Sequence, residues 1–186
     1  DLYAAQHANT DENTFSNRWK SVFVPLQSAI AKFNLPASLL NDLLSAFEQD
    51  IRKTRDHEGY ANEAELLDYC SRSANPVGRL LLHLYGIHDA NALRMSDHIC
   101  TALQLINFWQ DLSQDIPRGR FYLPLESCAE FGVSKTDLLN LKQTPNTTNL
   151  IASQAMNTLA TIQKGMQLVH ILPGRAGWEL RFVIQG

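Results

Sequence analysis

A polar stripe inside an otherwise apolar helix constrains this chain more than any other feature. Between Leu103 and Leu123 the sequence reads LQLINFWQDLSQDIPRGRFYL. Successive residues of an α-helix turn by about 100°, so Gln104, Asn107, Asp111 and Asp115 fall within an arc of roughly 80°. Leu103, Leu105, Ile106, Trp109 and Leu112 take the other faces, the pattern of a helix buried on most sides. Two carboxylates one turn apart, aligned with two amides, are costly to bury unless something satisfies them. A divalent cation would do so, and oxygen donors on neighbouring turns suit Mg²⁺, which keeps several waters and bridges one or two carboxylates to phosphates. Pro117 ends the helix, and Arg118, Gly119 and Arg120 follow, placing two guanidinium groups where an anion could be paired. For a lone DxxxD the commoner reading is a solvated face before an ordinary basic turn, and both readings stand at this level.

The rest of the chain reads as helices joined by short turns. Polar residues 1–12 lack periodicity. Helical patterning starts near Phe15 and runs past Trp19, Val22, Leu26 and Ile30, with Pro25 set to kink it. Pro36 suits a first helical position, and Leu39, Leu40, Leu43, Leu44, Phe47 and Ile51 mark a second amphipathic helix to about Arg55. At its end Asp50, Arg52 and Arg55 read as a solvated terminus in preference to a cavity wall. Asn62 with Glu65 forms a capping box for a third helix, which Pro76 and Gly78 interrupt. Asp89 caps a fourth and longest helix carrying the acidic face. Ser134 and Asp137 open a short helix, Thr148 to Leu172 is another long one, and a last begins at Gly174. No strand-like alternation is sustained, so the chain is predicted to be all-α.

With 186 residues and 45% apolar content, the chain is one domain's worth with material for a proper core. A net charge of -3 argues against a nucleic-acid partner. No secretory signal is visible, and no apolar run approaches a membrane span. Cys70, Cys100 and Cys128 show no CxxC spacing and cannot all pair, which reads as reduced core thiols of a cytoplasmic protein. The six histidines show no HExxH or Cys/His spacing, so zinc is not indicated.

The wording around the acidic face resembles the second aspartate-rich motif of the squalene/phytoene synthase family, in which a QxxNxxRDxxxD helix runs into a basic turn and a YLP or YFP segment. The matching residues are Gln104, Asn107, Asp111, Asp115, Arg120, Tyr122, Leu123 and Pro124, with Gln110 where most members carry arginine. Three phrases are most similar to the hydroxysqualene synthase (HpnC-type) branch of hopanoid biosynthesis: YCSRSANPVGRLLL from Tyr69, SDHICTALQLINFWQD from Ser96, and PGRAGWELRFVIQG from Pro173. The resemblance runs along nearly the whole chain. It implies an isoprenoid-synthase-type helical bundle around a central cavity, present here as a single partial domain over residues 1–186, truncated at both ends. Family members carry a first DxxxD motif shortly before the region of Asp1, and their final helix continues past Gly186.

The resemblance implies a Mg²⁺-dependent enzyme that condenses two molecules of farnesyl diphosphate head to head through presqualene diphosphate. In this branch water addition then gives hydroxysqualene, so NADPH is not expected; squalene or phytoene-type synthases, and a non-catalytic relative of the same fold, are the rival readings. Asp111 and Asp115 would ligate Mg²⁺, with Gln104 and Asn107 on the same face holding water or diphosphate oxygens. Tyr69 and Tyr122 match family tyrosines near the reacting carbons, with plain packing as the alternative. Arg118 and Arg120 would pair phosphate or a carboxylate. Ala74, Val77, Gly78, Ile99, Leu103 and Phe108 would wall the prenyl pocket, although apolar residues are core by default. Gln110 removes a fixed charge beside the metal site. With half of the metal clamp, this fragment alone is expected to have little activity. Lipidic substrate and product imply peripheral membrane contact; oligomeric state is left open.

Overall fold

The computed structural model describes residues 12–185, with side chains from residue 19 onward. Two compact units divide the chain, residues 1–37 and 38–186. In the first, α1 (Glu12–Phe33) carries Pro25 inside it. The left-handed Asn34, at φ 48°, follows it.

The second unit is built from nine helices among the described residues, opening with α2 (Ala37–Asp56), α3 (Glu63–Ser73), α4 (Asn75–Leu84) and α5 (Ala90–Gln110). The one-turn α6 (Leu112–Asp115) and the short α7 (Leu125–Glu130) and α8 (Lys135–Leu139) follow. Two more helices close it, α9 (Pro145–Gly165) and α10 (Gly174–Gln185). The all-α expectation holds: among the described residues the only extended pairing is one isolated parallel bridge between Gly59 and Phe121.

Local rules set most boundaries. Asp89 accepts hydrogen bonds from the backbone of Asn91 and Ala92 and so starts α5. Ser134 and Asp137 form the reciprocal capping box of α8. At α3 the box is altered: Asn62 accepts from Glu65 N at 3.0 Å, but the Glu65 carboxylate reaches past the cap to Ala61 N at 2.6 Å. The interruption expected at Pro76 and Gly78 falls earlier, at Ala74, which caps both α3 and α4. Pro76 lies in the first turn of α4, where its missing N–H costs nothing.

α5 is the axis of this unit, packing along α9 and against α4 and α3. Its buried residues, Ala92, Ser96, Ile99, Thr101, Ala102, Leu105 and Phe108, point in several directions, as a centrally placed helix requires. Polar ties fix its neighbours: Thr101 Oγ1 donates to Asn75 Oδ1 at 2.9 Å, Trp109 Nε1 donates to Thr158 Oγ1 at 2.9 Å, and Arg79 forks onto Asp97 at 2.8 and 2.6 Å. Gly165 lets α9 close onto α5, since a Cβ there would lie 2.5 Å from the Met95 carbonyl oxygen and 2.6 Å from Ile99. Cys70 and Cys128 are buried free thiols and Cys100 is half-buried, also free.

Candidate functional site

The acidic helix does not run straight through. α5 ends at Gln110, and Asp111 caps it at φ -97° and ψ 10° before the single turn of α6. Hydrogen bonds of helical spacing cross the bend, Asp111 N to Asn107 O at 3.0 Å and Asp115 N to Asp111 O at 2.8 Å, so the two carboxylates stay on neighbouring turns. Beyond α6 the chain tightens into a 3-10 turn, Ile116–Arg118, with Pro117 inside it. Gly119 then reverses direction at φ 80°. Its N–H bonds to Ile116 O at 3.0 Å, and Arg120 N bonds to Asp115 O at 3.0 Å, the paired bonds of a Schellman turn. That turn folds Arg120 back over Asp115.

Arg120 bridges two helices loosely. Its Nη1 lies 3.8 Å from Asp115 Oδ1 and its Nη2 lies 3.7 Å from Asp50 Oδ2, on α2. The Arg120 Nε is buried and has no hydrogen-bond partner. Asp50 Oδ1 accepts the Tyr122 hydroxyl at 2.6 Å, and Asn107 Nδ2 donates to Asp111 Oδ2 at 2.9 Å. Asp115 is only 8% exposed. Burial pushes its carboxyl above the usual range, Asp111 and Asp50 add to that, and Arg120 and Arg118 oppose it. Tyr122 is held well above an ordinary phenol, first by burial and then by its bond to Asp50, so it stays a neutral donor. Burial likewise raises Tyr69 to about 12.

Beneath these groups lies an aromatic stack. Phe108 and Tyr122 are 3.8 Å apart between centroids and nearly parallel, and Tyr69 flanks both at 6.2 and 6.3 Å. Tyr60, which sequence reasoning did not single out, stacks on Tyr122 at 6.0 Å. The structure therefore brings together Asn107, Asp111, Asp115, Arg120, Tyr122, Tyr69 and Phe108. Gln104 is half-buried on the same helix, and Arg118 is exposed but close enough for its charge to act on Asp115. The expected pocket walls disperse. Val77 is 48% exposed, and Ala74 is half-buried at the α3–α4 junction. Ile99, with Leu103 against it, belongs to a separate core around Leu82 and Leu168. Gly78 faces Ser96 and Cys100 of α5, whose side chains fill the space a Cβ would need.

Asp50 corrects the expectation of a solvated helix end; Arg52, paired with Glu58, and Arg55, paired with Asp56, do end in solvent. No local signal marks it: Asp50 shares a helical face with Ala46 and Lys53, whose burial only the structure shows.

Three carboxylates face two guanidinium groups here, and the most buried carboxylate is the one with a raised pKa. The excess of negative charge around Asp115 is only loosely offset, since the nearest guanidinium nitrogens lie 3.7 and 3.8 Å from their carboxylates. Among the described residues no three His, Cys, Asp or Glu side chains converge as a ready-made cage.

An acidic turn, a guanidinium folded over it and a phenol-carboxylate pair thus meet on one helical unit. The chain belongs to the squalene/phytoene synthase family, whose profile matches residues 2–185. It is 33% identical over 147 residues to a hydroxysqualene synthase of Sinorhizobium fredii, covering 78% of this chain and 49% of that protein. A hydroxysqualene synthase of Rhodopseudomonas palustris is 32% identical over 162 residues, 86% of this chain and 54% of that one. The crystal structure of squalene synthase HpnC from Alicyclobacillus acidocaldarius superposes with a TM-score of 0.82 at 30% identity, over 97% of this chain and 72% of that one. The chain thus spans about half the length of the two synthases it matches by sequence.

Proposed function

We propose that the protein carrying this chain condenses two farnesyl diphosphates head to head through presqualene diphosphate and releases hydroxysqualene. The observation that carries this reading is the pairing of Asp111 and Asp115 on successive turns with Arg120 folded back over Asp115 by the Gly119 turn. Similarity to two hydroxysqualene synthases supports the choice of product. Mg²⁺, when bound, would supply the Lewis acidity that draws diphosphate away from the allylic carbon. Asp111 and Asp115 would hold it, with Asn107 fixing the Asp111 carboxylate by the bond at 2.9 Å. The half-buried Arg120 guanidinium would pair a diphosphate oxygen while Asp50 lies beside one edge of its fork. Tyr122 keeps its proton and donates it to Asp50, and the buried, mutually stacked rings of Tyr69, Tyr122 and Phe108 would form an apolar floor that keeps water from the reacting carbons. Substrate and product are lipidic, so contact with a membrane surface belongs to this reading; among the described residues no helix is long and apolar enough to cross a membrane.

Product analysis tests it. The whole protein, given farnesyl diphosphate and Mg²⁺, is expected to yield hydroxysqualene equally with and without NADPH. A hydrocarbon that appears only with NADPH would replace this reading with a squalene synthase, and no turnover at all would remove it.

A further inference from the structure

One buried cation has no part in the chemistry above. Lys53 sits one turn beyond Asp50 on α2, is 8% exposed, and lines a cavity with Gly59, Glu65 and Phe121 in which its ammonium is held by the first two. Its Nζ donates to Gly59 O at 2.8 Å, meets Glu65 Oε1 at 2.8 Å and lies 4.6 Å from the centre of the Tyr60 ring. We propose that Lys53, held by Glu65, is a positioning residue for the acidic site, clamping residues 57–61 so that residues 119–126 carry Arg120 and Tyr122 in register with Asp50 and Asp115.

The connection is continuous. Glu65 closes the clamp by accepting Ala61 N at 2.6 Å while it pairs with Lys53. The clamped segment is stitched to the site segment along its length: Gly59 bridges Phe121, Leu125 N bonds to Tyr60 O at 2.9 Å and Glu126 N to Ala61 O at 3.1 Å. At the near end His57 packs against Gly119, where an added Cβ would lie 2.5 Å from His57 Nδ1. At the far side Lys135 Nζ donates to His57 O at 3.2 Å and covers the Phe121 ring at 4.9 Å. Tyr60, whose ring lies under Lys53, also stacks on Tyr122. α2 therefore grips the site segment twice, directly through Asp50 and Tyr122 and indirectly through Lys53. Two grips one turn apart fix rotation of the segment as well as its distance, and a carboxylate-phenol bond alone does not.

This role rests on the proposed function for its kinetic readout, but its structural readout stands apart. The test uses the whole protein, labelled at tyrosine Cζ, with the Tyr122 resonance assigned through Tyr122→Phe. Lys53→Met and Glu65→Gln are compared with wild type well below their melting temperatures. The expected result is a displaced or doubled Tyr122 resonance in Lys53→Met, kcat lower by about tenfold with KM changed less than about twofold, as for loss of an interaction that matters in the transition state. Glu65→Gln is expected to move both in the same direction by less, and Lys53→Arg to restore them. A lowered melting temperature with an unmoved Tyr122 resonance and wild-type kcat would make Lys53 a stabilising residue only and overturn the proposal. If Lys53→Met does not fold, Glu65→Gln decides by the same criteria. Should the wild-type protein fail to turn over farnesyl diphosphate, the proposed function fails while the Tyr122 resonance still decides the role of Lys53.

Discussion

Asp115→Asn is expected to make the metal-free protein more stable while removing most of its turnover. The two effects share a cause. In the folded chain the Asp115 carboxyl is raised above its ordinary 3.8, first by burial and further by Asp111 and Asp50, with Arg120 and Arg118 opposing. A carboxyl whose folded value exceeds its unfolded value costs stability above the folded value, and the cost disappears as pH falls through it towards 3.8. An amide of the same shape removes that cost at neutral pH. Melting temperature should rise by about 2–4 °C, the response of a domain of this size to about 1 kcal/mol, and the advantage should shrink as the pH is lowered through the carboxylate range. Under the proposed function the same substitution removes a charged metal ligand, so kcat/KM of the whole protein should fall by about 10²-fold or more, roughly 3 kcal/mol of transition-state stabilisation. A variant with wild-type turnover would remove Asp115 from the metal site; one that melts lower would show that its carboxylate is a structural partner of Arg120.

Gly165→Val is expected to be the most damaging of the small substitutions, by about 3 kcal/mol, the upper part of the range for overpacked cores. The clash lies with the backbone oxygen of Met95, 2.5 Å from the added Cβ, and with Ile99 at 2.6 Å. Neither is the free end of a flexible side chain, so α9 must move away from α5 along a principal helix contact of the unit. Gly86→Ala is the control. Gly86 has φ 70° and nothing within 4 Å of an added Cβ, so only the backbone strain of about 1–2 kcal/mol applies there. Denaturant unfolding of the two variants separates the effects. A Gly165→Val cost no larger than that of Gly86→Ala would show that α5 and α9 are not as closely packed as described.

Features governed by near neighbours along the chain are legible in the sequence itself. The caps at Asp89 and Ser134 depend on residues two or three positions away, and the alignment of Asp111 with Asp115 needs one helical turn. What is not legible depends on distant partners. Asp50 looks like any polar helix end until Tyr122, 72 residues later, donates to it. Lys53 looks like a surface lysine until Gly59 and Glu65 enclose it. Val77 and Ile99 follow one rule of apolar burial in sequence, yet one is 48% and the other 2% exposed. The bend at Asp111 is hidden because neither Asp111 nor Leu112 is a helix breaker. Family wording supplies what local physics cannot, the grouping of Tyr69 and Tyr122 with the acidic face.

The central claim is that Asp111 and Asp115 hold a divalent cation that bridges to diphosphate. Mn²⁺ titrated into the ¹⁵N-labelled whole protein, with and without inorganic diphosphate, addresses it without turnover. The account predicts paramagnetic broadening that starts at the amides of residues 107–120, reaches Asp50 and Tyr122 next, and strengthens when diphosphate is present. Broadening centred on exposed acids such as Glu126 and Glu130, and indifferent to diphosphate, would contradict it.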